Sequence, residues 1–365
     1  MPRKAKTTES TTPTIHDVAR HAGVSAMTVS RVINKNVNVR EPLREKVMAS
    51  IKALNYSLNI AARSTRAGMS GARIGIIYSA PSAGFLNDIL VGALEQCSRM
   101  GGQLVLEHCV STASQKAALK RLMAKGIDAL ILPPPLCDSA HIVRQVQGEG
   151  IPVLALATAH PLPDISAVGI DDFAGAVAMA RYLLKQGHRR IAFIKGPPDH
   201  APAGVRYDGF IHAMQAAGLA VNPALVTEGS FTYQSGLHAA ERLLALAEPP
   251  TAIFAANDDM AAGVIAVAHG KRILVPEDLS VCGFDDTPVA SAIWPPITTI
   301  HQPKAAMGRT AVTALLEEVR SLRIDKVSRP SQVRLKFTLV ERGSTAPAPE
   351  LKLFRTMGEG GILPR

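Results

Sequence analysis

Residues 15–34 constrain the fold of this chain more than any other stretch, and they read IHDVARHAGVSAMTVSRVIN. Apolar side chains recur there at three- and four-residue spacing on either side of Gly23, which permits a tight turn. The residues with this spacing are Val18, Ala19, Ala22, Val29, Val32 and Ile33. The pattern predicts two short amphipathic helices joined by a turn, a helix-turn-helix.

The residues that flank these helices favour the same interpretation. Thr14 and Ser25 stand just before the two helices, where a hydroxyl can cap free backbone N–H groups, and Asp17 complements the positive start of the first helix. We expect four residues of the second helix to face outward: Ala26, Met27, Ser30 and Arg31. A second helix with small and polar residues at its exposed start suits the major groove of DNA.

Positive charge is concentrated on the same part of the chain. Residues 1–68 hold twelve Lys and Arg against four Asp and Glu, which accounts for eight of the chain's net ten positive charges. Clustered cations favour a polyanionic partner, because released counterions supply much of the affinity. An ordinary helical hairpin does not need such a cluster, so the sequence predicts binding to double-stranded DNA.

A third helical pattern over residues 43–54 would complete a small three-helix domain. Val47, Ile51 and Leu54 recur there at helical spacing. A short polar stretch over residues 59–66 then leads to Gly68.

Residues 17–19, 22–25 and 28–34 resemble the headpiece signature of the lactose/galactose repressor (LacI/GalR) family, and the resemblance extends along the chain except for its two tails. It implies a DNA-binding transcriptional regulator of the bacterial cytoplasm, associated with the nucleoid, that binds a pseudo-palindromic operator as a homodimer. It also implies which residues contact DNA, namely Thr14, Ser25, Ala26, Met27, Thr28, Ser30, Arg31, Asn34, Tyr56, Asn59, Ala62, Arg63, Thr65 and Arg66.

The patterns and the resemblance together predict five parts of the chain. These are a basic flexible tail (1–13), a helix-turn-helix headpiece (14–58), a hinge (59–71), a ligand-binding and dimerisation core (72–343) and a second flexible tail (344–365). The core is expected to divide into an N-subdomain, at about 73–170 and 300–328, and a C-subdomain, at about 171–298 and 330–342. The second tail has several Pro and Gly and no leucine heptad, which favours a dimer over a tetramer.

The hinge departs from the family pattern at Thr65. In the family this segment orders as a helix on operator DNA and pushes a leucine into the minor groove. Threonine buries less apolar surface and brings a hydroxyl, so this protein either kinks its operator less or organises its hinge contacts differently. Arg63 and Arg66 remain candidates for groove or phosphate contacts, and the segment is also compatible with a disordered linker in the free protein.

The composition argues against several other classes. No run approaches twenty apolar residues, and the basic start leads into Thr and Ser, so we expect neither a membrane span nor a signal peptide. The cysteines lack paired spacing, which favours reduced structural thiols and gives no zinc motif. They are Cys97, Cys109, Cys137 and Cys282. We expect no metal and no other cofactor.

From Arg73 onward, short apolar runs alternate with helical patterns in two successive series. The runs that we interpret as buried strands are 74–78, 104–107, 129–132 and 153–157, then 191–194, 226–228, 253–256 and 279–282. This rhythm predicts two α/β units with parallel sheets and a crevice between them at the carboxyl ends of the strands. A helix over 304–320 and a strand over 333–339 follow, and in the family these parts cross back between the subdomains.

The resemblance implies an α/β core like that of periplasmic sugar-binding proteins, with a small metabolite in the crevice. Arg206 falls on the family's ligand arginine and Asp285 on its ligand aspartate. A guanidinium donates to adjacent hydroxyl oxygens and a carboxylate accepts from hydroxyl hydrogens, so the pair suits a polyol. A structural ion pair at a strand end is the alternative for these two residues.

Further ligand contacts come from the same alignment: Phe85, Thr158, His200, Phe231 and Asn257. Ser79, at the end of the first core strand, can also offer a hydroxyl to the ligand. Aromatic rings suit the apolar faces of sugar rings, but core packing explains Phe85 nearly as well. Asn257 is equally well placed to cap a helix. His200 and Thr158 stand where a purine-binding relative carries an arginine and an aromatic, which argues against a purine, although a loop histidine is commonly just solvated.

Other functional classes fit less well. The chain has no recognisable hydrolase, metalloprotease, Walker or dinucleotide motif, so we do not expect an enzyme. Asp285 and Asp286 are neighbours whose side chains would diverge in a strand, unlike the facing carboxylates of a glycosidase. The sequence therefore predicts a sugar-responsive repressor. A nucleoside-like effector, a co-repressor, a pure ligand-binding protein and an architectural DNA-binding protein remain alternatives.

Overall fold

The computed structural model describes residues 15–33, 40–54, 71–78, 83–109 and 112–349. The chain divides into two compact units, residues 1–63 and 64–365. Several candidate contact residues lie outside the described residues: Thr14, Asn34, Tyr56, Asn59, Ala62, Arg63, Thr65, Arg66 and Ser79. None of the helices within the described ranges is long and apolar enough to cross a membrane.

The first unit contains helices α1 (Ile15–Ala22), α2 (Ala26–Ile33) and α3 (Glu41–Ala53). Their apolar faces meet in one small core, formed by Val18, Ala19, Ala22, Val29, Val32 and Val47. Gly23 has a φ of +61°, which suits a residue without a Cβ, and the Thr28 backbone N–H donates to Ser25 Oγ at 3.1 Å. The predicted turn and the predicted cap of the second helix are therefore present.

Ala26 differs from the prediction that it faces outward. It lies three residues before Val29 on the same face of α2 and packs partly against the core of the unit. Met27, by contrast, is 65% exposed, and Arg31 is exposed as well. The side chain of Ser30 lies outside the described part of the chain.

The N-subdomain is built on a six-stranded parallel sheet of order β11-β5-β4-β3-β1-β2. Its strands are β1 (Arg73–Tyr78), β2 (Gln103–His108), β3 (Ala129–Leu132), β4 (Val153–Leu156), β5 (Ser166–Gly169) and β11 (Gln332–Arg334). The helices of this subdomain are α4 (Ala83–Met100), α5 (Thr112–Ala124), α6 (Ala140–Gly148) and α12 (Lys304–Ile324). Helix α12 packs on α4 and on the sheet through Met307, Ala311 and Leu315.

The C-subdomain is built on a four-stranded parallel sheet of order β7-β6-β8-β9. Its strands are β6 (Ile191–Ile194), β7 (Val226–Thr227), β8 (Ala252–Ala255) and β9 (Ser280–Cys282). The helices are α7 (Asp172–Lys185), α8 (Ala201–Ala216), α9 (Tyr233–Leu243), α10 (Asp258–Gly270) and the short α11 (Pro288–Ala292). Two more strands, β10 (Thr299–His301) and β12 (Thr338–Val340), pair antiparallel beside this sheet.

The chain crosses between the subdomains three times, and the third crossing differs from the predicted one. The single strand expected over residues 333–339 is two strands: β11 joins the N-subdomain sheet, and β12 pairs with β10. The return to the C-subdomain therefore follows Arg334 rather than residue 329. The second crossing was predicted between residues 298 and 300. Because β10 lies beside the C-subdomain sheet, this crossing instead follows His301 and leads into α12.

The predicted start of the second flexible tail is also corrected. Ser344 is fully buried, its hydroxyl donates to the Val281 carbonyl oxygen at 2.5 Å, and it accepts from the Thr298 N–H at 2.9 Å. Ala348 is buried too. Residues 344–349 thus belong to the C-subdomain, while residues 350–365 lie outside the described ranges.

Candidate functional site

Arg206 is the centre of a buried ion-pair cluster in the core. The Arg206 side chain, on α8, donates from Nε to Asp172 Oδ1 at 2.9 Å, and its Nη1 lies 3.1 Å from Asp285 Oδ1. The same Nη1 donates to the Ala256 carbonyl oxygen at 2.7 Å, and the guanidinium stacks on the Phe284 ring at 3.8 Å. The two ligand residues predicted from the resemblance are thus in contact.

Asp172 is the partner that sequence reasoning missed. It begins α7 directly after the first crossing, and β5, the strand that precedes this crossing, was not predicted. This strand is only four residues long and reads SAVG, without the larger apolar side chains of strands such as β3 (ALIL) and β4 (VLAL). If β5 had been recognised, Asp172 would have been a candidate site residue, because the carboxyl ends of parallel strands meet at one edge of a sheet.

Burial and charge oppose each other in this cluster. Burial raises the pKa of Asp285 to about 6, although Arg206 and then Lys304 act to lower it. The pKa of Asp172 is raised in the same way by burial, against the effect of Arg206. Burial also works against the Arg206 charge, but Asp285 and Asp172 outweigh it and raise the pKa of the guanidinium.

The loop that carries Asp285 is not the strand that the sequence predicted. Asp285 and Asp286 follow β9 with φ values of +102° and +52°. Gln302 Nε2 donates to Asp285 Oδ1 at 2.7 Å, whereas Asp286 Oδ1 accepts from Arg342 at 2.6 Å. The two carboxylates diverge, as expected, and only Asp285 takes part in the cluster around Arg206.

Lys304 binds the loop of Asp285 and Asp286 and links it to the N-subdomain. Its ammonium donates to the carbonyl oxygens of Asp285 and Asp286 at 2.5 and 2.8 Å, and lies 3.7 Å from Asp88 on α4. Because Lys304 begins α12, it connects the Asp285 loop to the helix that packs on the N-subdomain sheet.

Asn257 and Phe231, two further predicted ligand residues, contact each other in the C-subdomain. Asn257 caps α10 by accepting from the Met260 N–H at 3.0 Å, and its amide donates to the Phe231 carbonyl oxygen at 3.1 Å. The cap that its position also predicted is therefore present. Phe231 has a φ of +60°, and a Cβ at Gly196 would lie 2.3 Å from the end of its ring, so only glycine fits there.

His200 stands edge-on to the Phe231 ring at 4.9 Å between ring centroids. Burial, with a smaller effect of the Arg206 charge, lowers the pKa of His200 to about 3, so the ring is neutral at neutral pH. Its Nδ1 atom is buried and has no hydrogen-bond partner among the described residues.

Thr158 belongs to the opposite wall, on the N-subdomain. Its hydroxyl donates to Asp138 Oδ1 at 2.7 Å and accepts from the His160 N–H at 3.1 Å. Asp138 ends a short 3₁₀ turn after β3 and was not predicted to be a site residue. Its Oδ2 atom is buried and finds no hydrogen-bond partner within the described ranges.

A cavity of about 350 Å³ lies beside the ion-pair cluster. Thr158 from the N-subdomain, Val205 from α8, and Asp172 and Phe173 at the first crossing line its wall. Strand β11 contributes Gln332, Val333 and Arg334 to the same wall. The volume suits a small organic ligand. Phe85, in contrast, is half-buried on α4 and packs against the N-subdomain core, as its alternative interpretation predicted.

Comparisons with known proteins match both parts of the chain. The family described as "Bacterial regulatory proteins, lacI family" matches residues 14–59, and "Periplasmic binding protein-like domain" matches residues 180–345. The ribose operon repressor of Escherichia coli (strain K12) is 36% identical over 341 residues, which cover 91% of this chain and 99% of that repressor. The chain belongs to the LacI family of bacterial regulatory proteins.

Other relatives also support membership of this protein in the LacI family. The HTH-type transcriptional repressor PurR of Salmonella paratyphi B is 34% identical over 343 residues, which cover 92% of this chain and 98% of PurR. The structure of the CelR–cellobiose complex superposes with a TM-score of 0.69 at 30% identity, and covers 91% of this chain and 99% of CelR. The lac repressor dimer bound to operator and the anti-inducer ONPF superposes with a TM-score of 0.68 at 29% identity. This match covers 92% of this chain and 100% of the lac repressor chain.

These similarities confirm the predicted fold class, a helix-turn-helix headpiece with an α/β core of parallel sheets like that of periplasmic binding proteins. The curated relatives of this LacI-family protein named above are transcriptional repressors. The chain is accordingly a DNA-binding transcriptional regulator.

Proposed function

We propose that this LacI-family protein represses carbohydrate-utilisation genes, and that a small sugar bound between its core subdomains lowers its affinity for operator DNA. The observation that carries the proposal is the buried contact of Arg206 with Asp172 and Asp285 beside a cavity between the subdomains. Such a cluster offers both donors and acceptors, as vicinal hydroxyls require. Phe231 adds an apolar face for a sugar ring.

The DNA-binding half of the proposal rests on α2. Ser25 and Thr28 at its start and the exposed Met27 and Arg31 form the surface that would meet the major groove. The lac repressor structure shows a dimer on its operator, and we propose the same assembly on a pseudo-palindromic site here. A regulator of chromosomal operators acts in the cytoplasm, and we propose no enzymatic activity for it.

The three crossings suggest how the two halves communicate. A ligand that draws Thr158 and Arg206 together would change the angle between the subdomains, and so the spacing of the hinges in the dimer. Differential binding worth roughly 1–3 kcal/mol is enough to change operator affinity about 5- to 150-fold. We propose release by the sugar, because a repressor of carbohydrate-utilisation genes has to leave its operator when the carbohydrate is present.

The deciding experiment uses the full chain and an operator selected from randomised DNA. Thermal unfolding is recorded with D-ribose, D-glucose, cellobiose and adenosine, and operator affinity is measured with each compound that raises the unfolding temperature. We expect a sugar to stabilise the protein, to weaken operator binding and to be recovered unchanged. Stabilisation by adenosine alone would overturn the sugar assignment, and tighter operator binding would indicate a co-repressor.

Met27 provides a test of DNA readout. Ala26 and Met27 stand at the family's main reading positions, and the apolar Met27 side chain can contact a thymine methyl group but cannot form paired hydrogen bonds. We expect Met27→Gln to change the preferred half-site by roughly 1–3 kcal/mol at one base pair, with little change in the salt dependence of binding. Selection of both proteins against a randomised half-site measures this. Met48→Gln is a matched control, because Met48 is 52% exposed on α3, and an equal loss on all sequences would contradict the prediction.

A further inference from the structure

Lys304 is a buried cation that the proposed sugar contacts do not use. It begins α12 and is only 3% exposed, and a buried ammonium is costly unless acceptors surround it. Its Nζ atom donates to the backbone carbonyl oxygens of Asp285 and Asp286. The Asp88 carboxylate lies 3.7 Å away, and its side chain is 40% exposed, so this contact is a solvent-screened ion pair. Within the described part of the chain, the ammonium therefore makes its hydrogen bonds to the loop that carries Asp285.

The backbone of this loop needs such support. The φ values of +102° at Asp285 and +52° at Asp286 lie in the left-handed region, which is unfavourable for residues with a Cβ. The two successive carbonyl oxygens both accept from Lys304, at 2.5 and 2.8 Å. Strained backbone persists only where surrounding contacts fix it, and Lys304 supplies two such contacts from a helix of the other subdomain.

The conformation of the loop sets where the Asp285 carboxylate lies. Arg206 Nη1 and Gln302 Nε2 both contact its Oδ1 atom, at 3.1 and 2.7 Å. A ligand hydroxyl would then donate to the second oxygen, Oδ2, and it does so best when the carboxyl group is ionised. A loop that relaxed to another conformation would move Asp285 away from Arg206.

Lys304 also acts on Asp285 through its charge. The charged groups around the loop are Asp88 on α4, Asp172 on α7, Arg206 on α8, Asp258 on α10 and Lys304 on α12, with His301 on β10 and Arg342 bound to Asp286. Burial raises the pKa of Asp285 to about 6, while Arg206 and then Lys304 lower it and Asp172 raises it. Removing the Lys304 charge would therefore raise this pKa further and leave more of the carboxyl group protonated at neutral pH.

We infer that Lys304 is a positioning residue of the effector site, whose ammonium, through its hydrogen bonds and its charge, holds Asp285 as a carboxylate that accepts a ligand hydroxyl beside Arg206. The inference rests on the proposed function and adds a residue to its site. Lys304 is not among the positions that the resemblance assigned to the ligand. Because it begins α12, the affinity of the site is linked to the position of a helix that packs on the N-subdomain sheet.

The test compares Lys304→Met, which keeps the length of the side chain without its charge, with Lys304→Arg, which keeps the charge. Lys185→Met is the matched control, because Lys185 is exposed in the last turn of α7 in the C-subdomain. Calorimetry on the full-length proteins measures the binding of D-ribose, D-glucose and cellobiose at half-unit steps from pH 5 to pH 8.5. Operator affinity without sugar shows that each variant is folded.

For the wild type we expect sugar affinity to fall as the pH drops through about 6, because a protonated Asp285 is a weaker acceptor. Lys304→Met should weaken sugar binding at least about tenfold at pH 7 and move the midpoint of this fall upward by about one pH unit. Lys304→Arg should keep the wild-type midpoint. Lys185→Met should follow the wild type at every pH.

A loss of affinity in Lys304→Met that is equal at every pH would overturn the inference, because general loosening of the loop does not shift a titration. Unchanged sugar affinity in this variant would also overturn it and would leave the sugar-responsive repressor intact. If none of the three sugars binds the wild type, the proposed function falls, and this inference falls with it.

Discussion

Replacing Arg206 by methionine is expected to lower the free energy of unfolding of the core by about 3–5 kcal/mol, because it leaves Asp172 and Asp285 buried without their cation. Methionine keeps much of the volume that packs on Phe284, so the change isolates the charge. Urea unfolding of the full chain, followed by fluorescence and circular dichroism, measures the loss.

Two comparisons make this prediction specific. Arg329→Met breaks an exposed ion pair with Asp325 and should cost less than about 1 kcal/mol. Adding Asp172→Asn to Arg206→Met removes one of the orphaned carboxylates and should recover part of the stability. If Arg206→Met proves as mild as Arg329→Met, the cluster is not the buried charge network described above.

The second large effect concerns the dependence of stability on pH, through Asp258. Burial, followed by the charge of Asp285, raises the pKa of Asp258 to about 8, despite hydrogen bonds from Thr299 at 2.6 Å and from the Thr287 N–H at 2.7 Å. In the unfolded chain an aspartate titrates near pH 3.9. The folded protein therefore holds the extra proton between these values, and its stability is lost as the pH rises towards 8.

The window from pH 6.5 to 8 isolates this residue. Asp285, with a pKa of about 6, has largely completed its titration by then. His200, with a folded pKa of about 3, stabilises the folded state above pH 6.5 and loses that contribution only as the pH falls. We expect the wild type to lose about 1.5 kcal/mol across the window, whereas Asp258→Asn should remain nearly flat.

Urea unfolding of both proteins at half-unit pH steps tests this expectation. The exposed Asp164→Asn variant should follow the wild type. Parallel curves for the wild type and Asp258→Asn would show that Asp258 does not retain its proton near neutral pH.

The three described helices of the headpiece could be predicted from the sequence, because their determinants are local. The Ser25 cap reaches a backbone N–H three residues away, Gly23 adopts the left-handed conformation that its turn requires, and the apolar positions of α1 and α2 meet across that turn. Ala26 was misplaced since its proximity to Val29 on the helix surface outweighs its position at the helix start.

The strands of the core could be predicted in outline, but the strands next to the crossings between the subdomains could not. Strands such as β3 and β8 are runs of buried apolar residues and were recognised as such. Strand β5 has small side chains, and β11 and β12 together look like one strand, because alternation of side chains does not reveal which sheet each half joins. Those assignments depend on pairing partners far along the chain.

By itself, the sequence determined a DNA-binding headpiece, two parallel α/β subdomains and the candidate pair of Arg206 and Asp285. Only the tertiary structure decided that Asp172 shares that guanidinium across 34 positions of chain, and that the Thr158 hydroxyl donates to Asp138. The physical reason is that caps, turns and periodicity are set by near neighbours. Burial and charge pairing, in contrast, arise when crossings between sheets bring distant carboxylates around one cation.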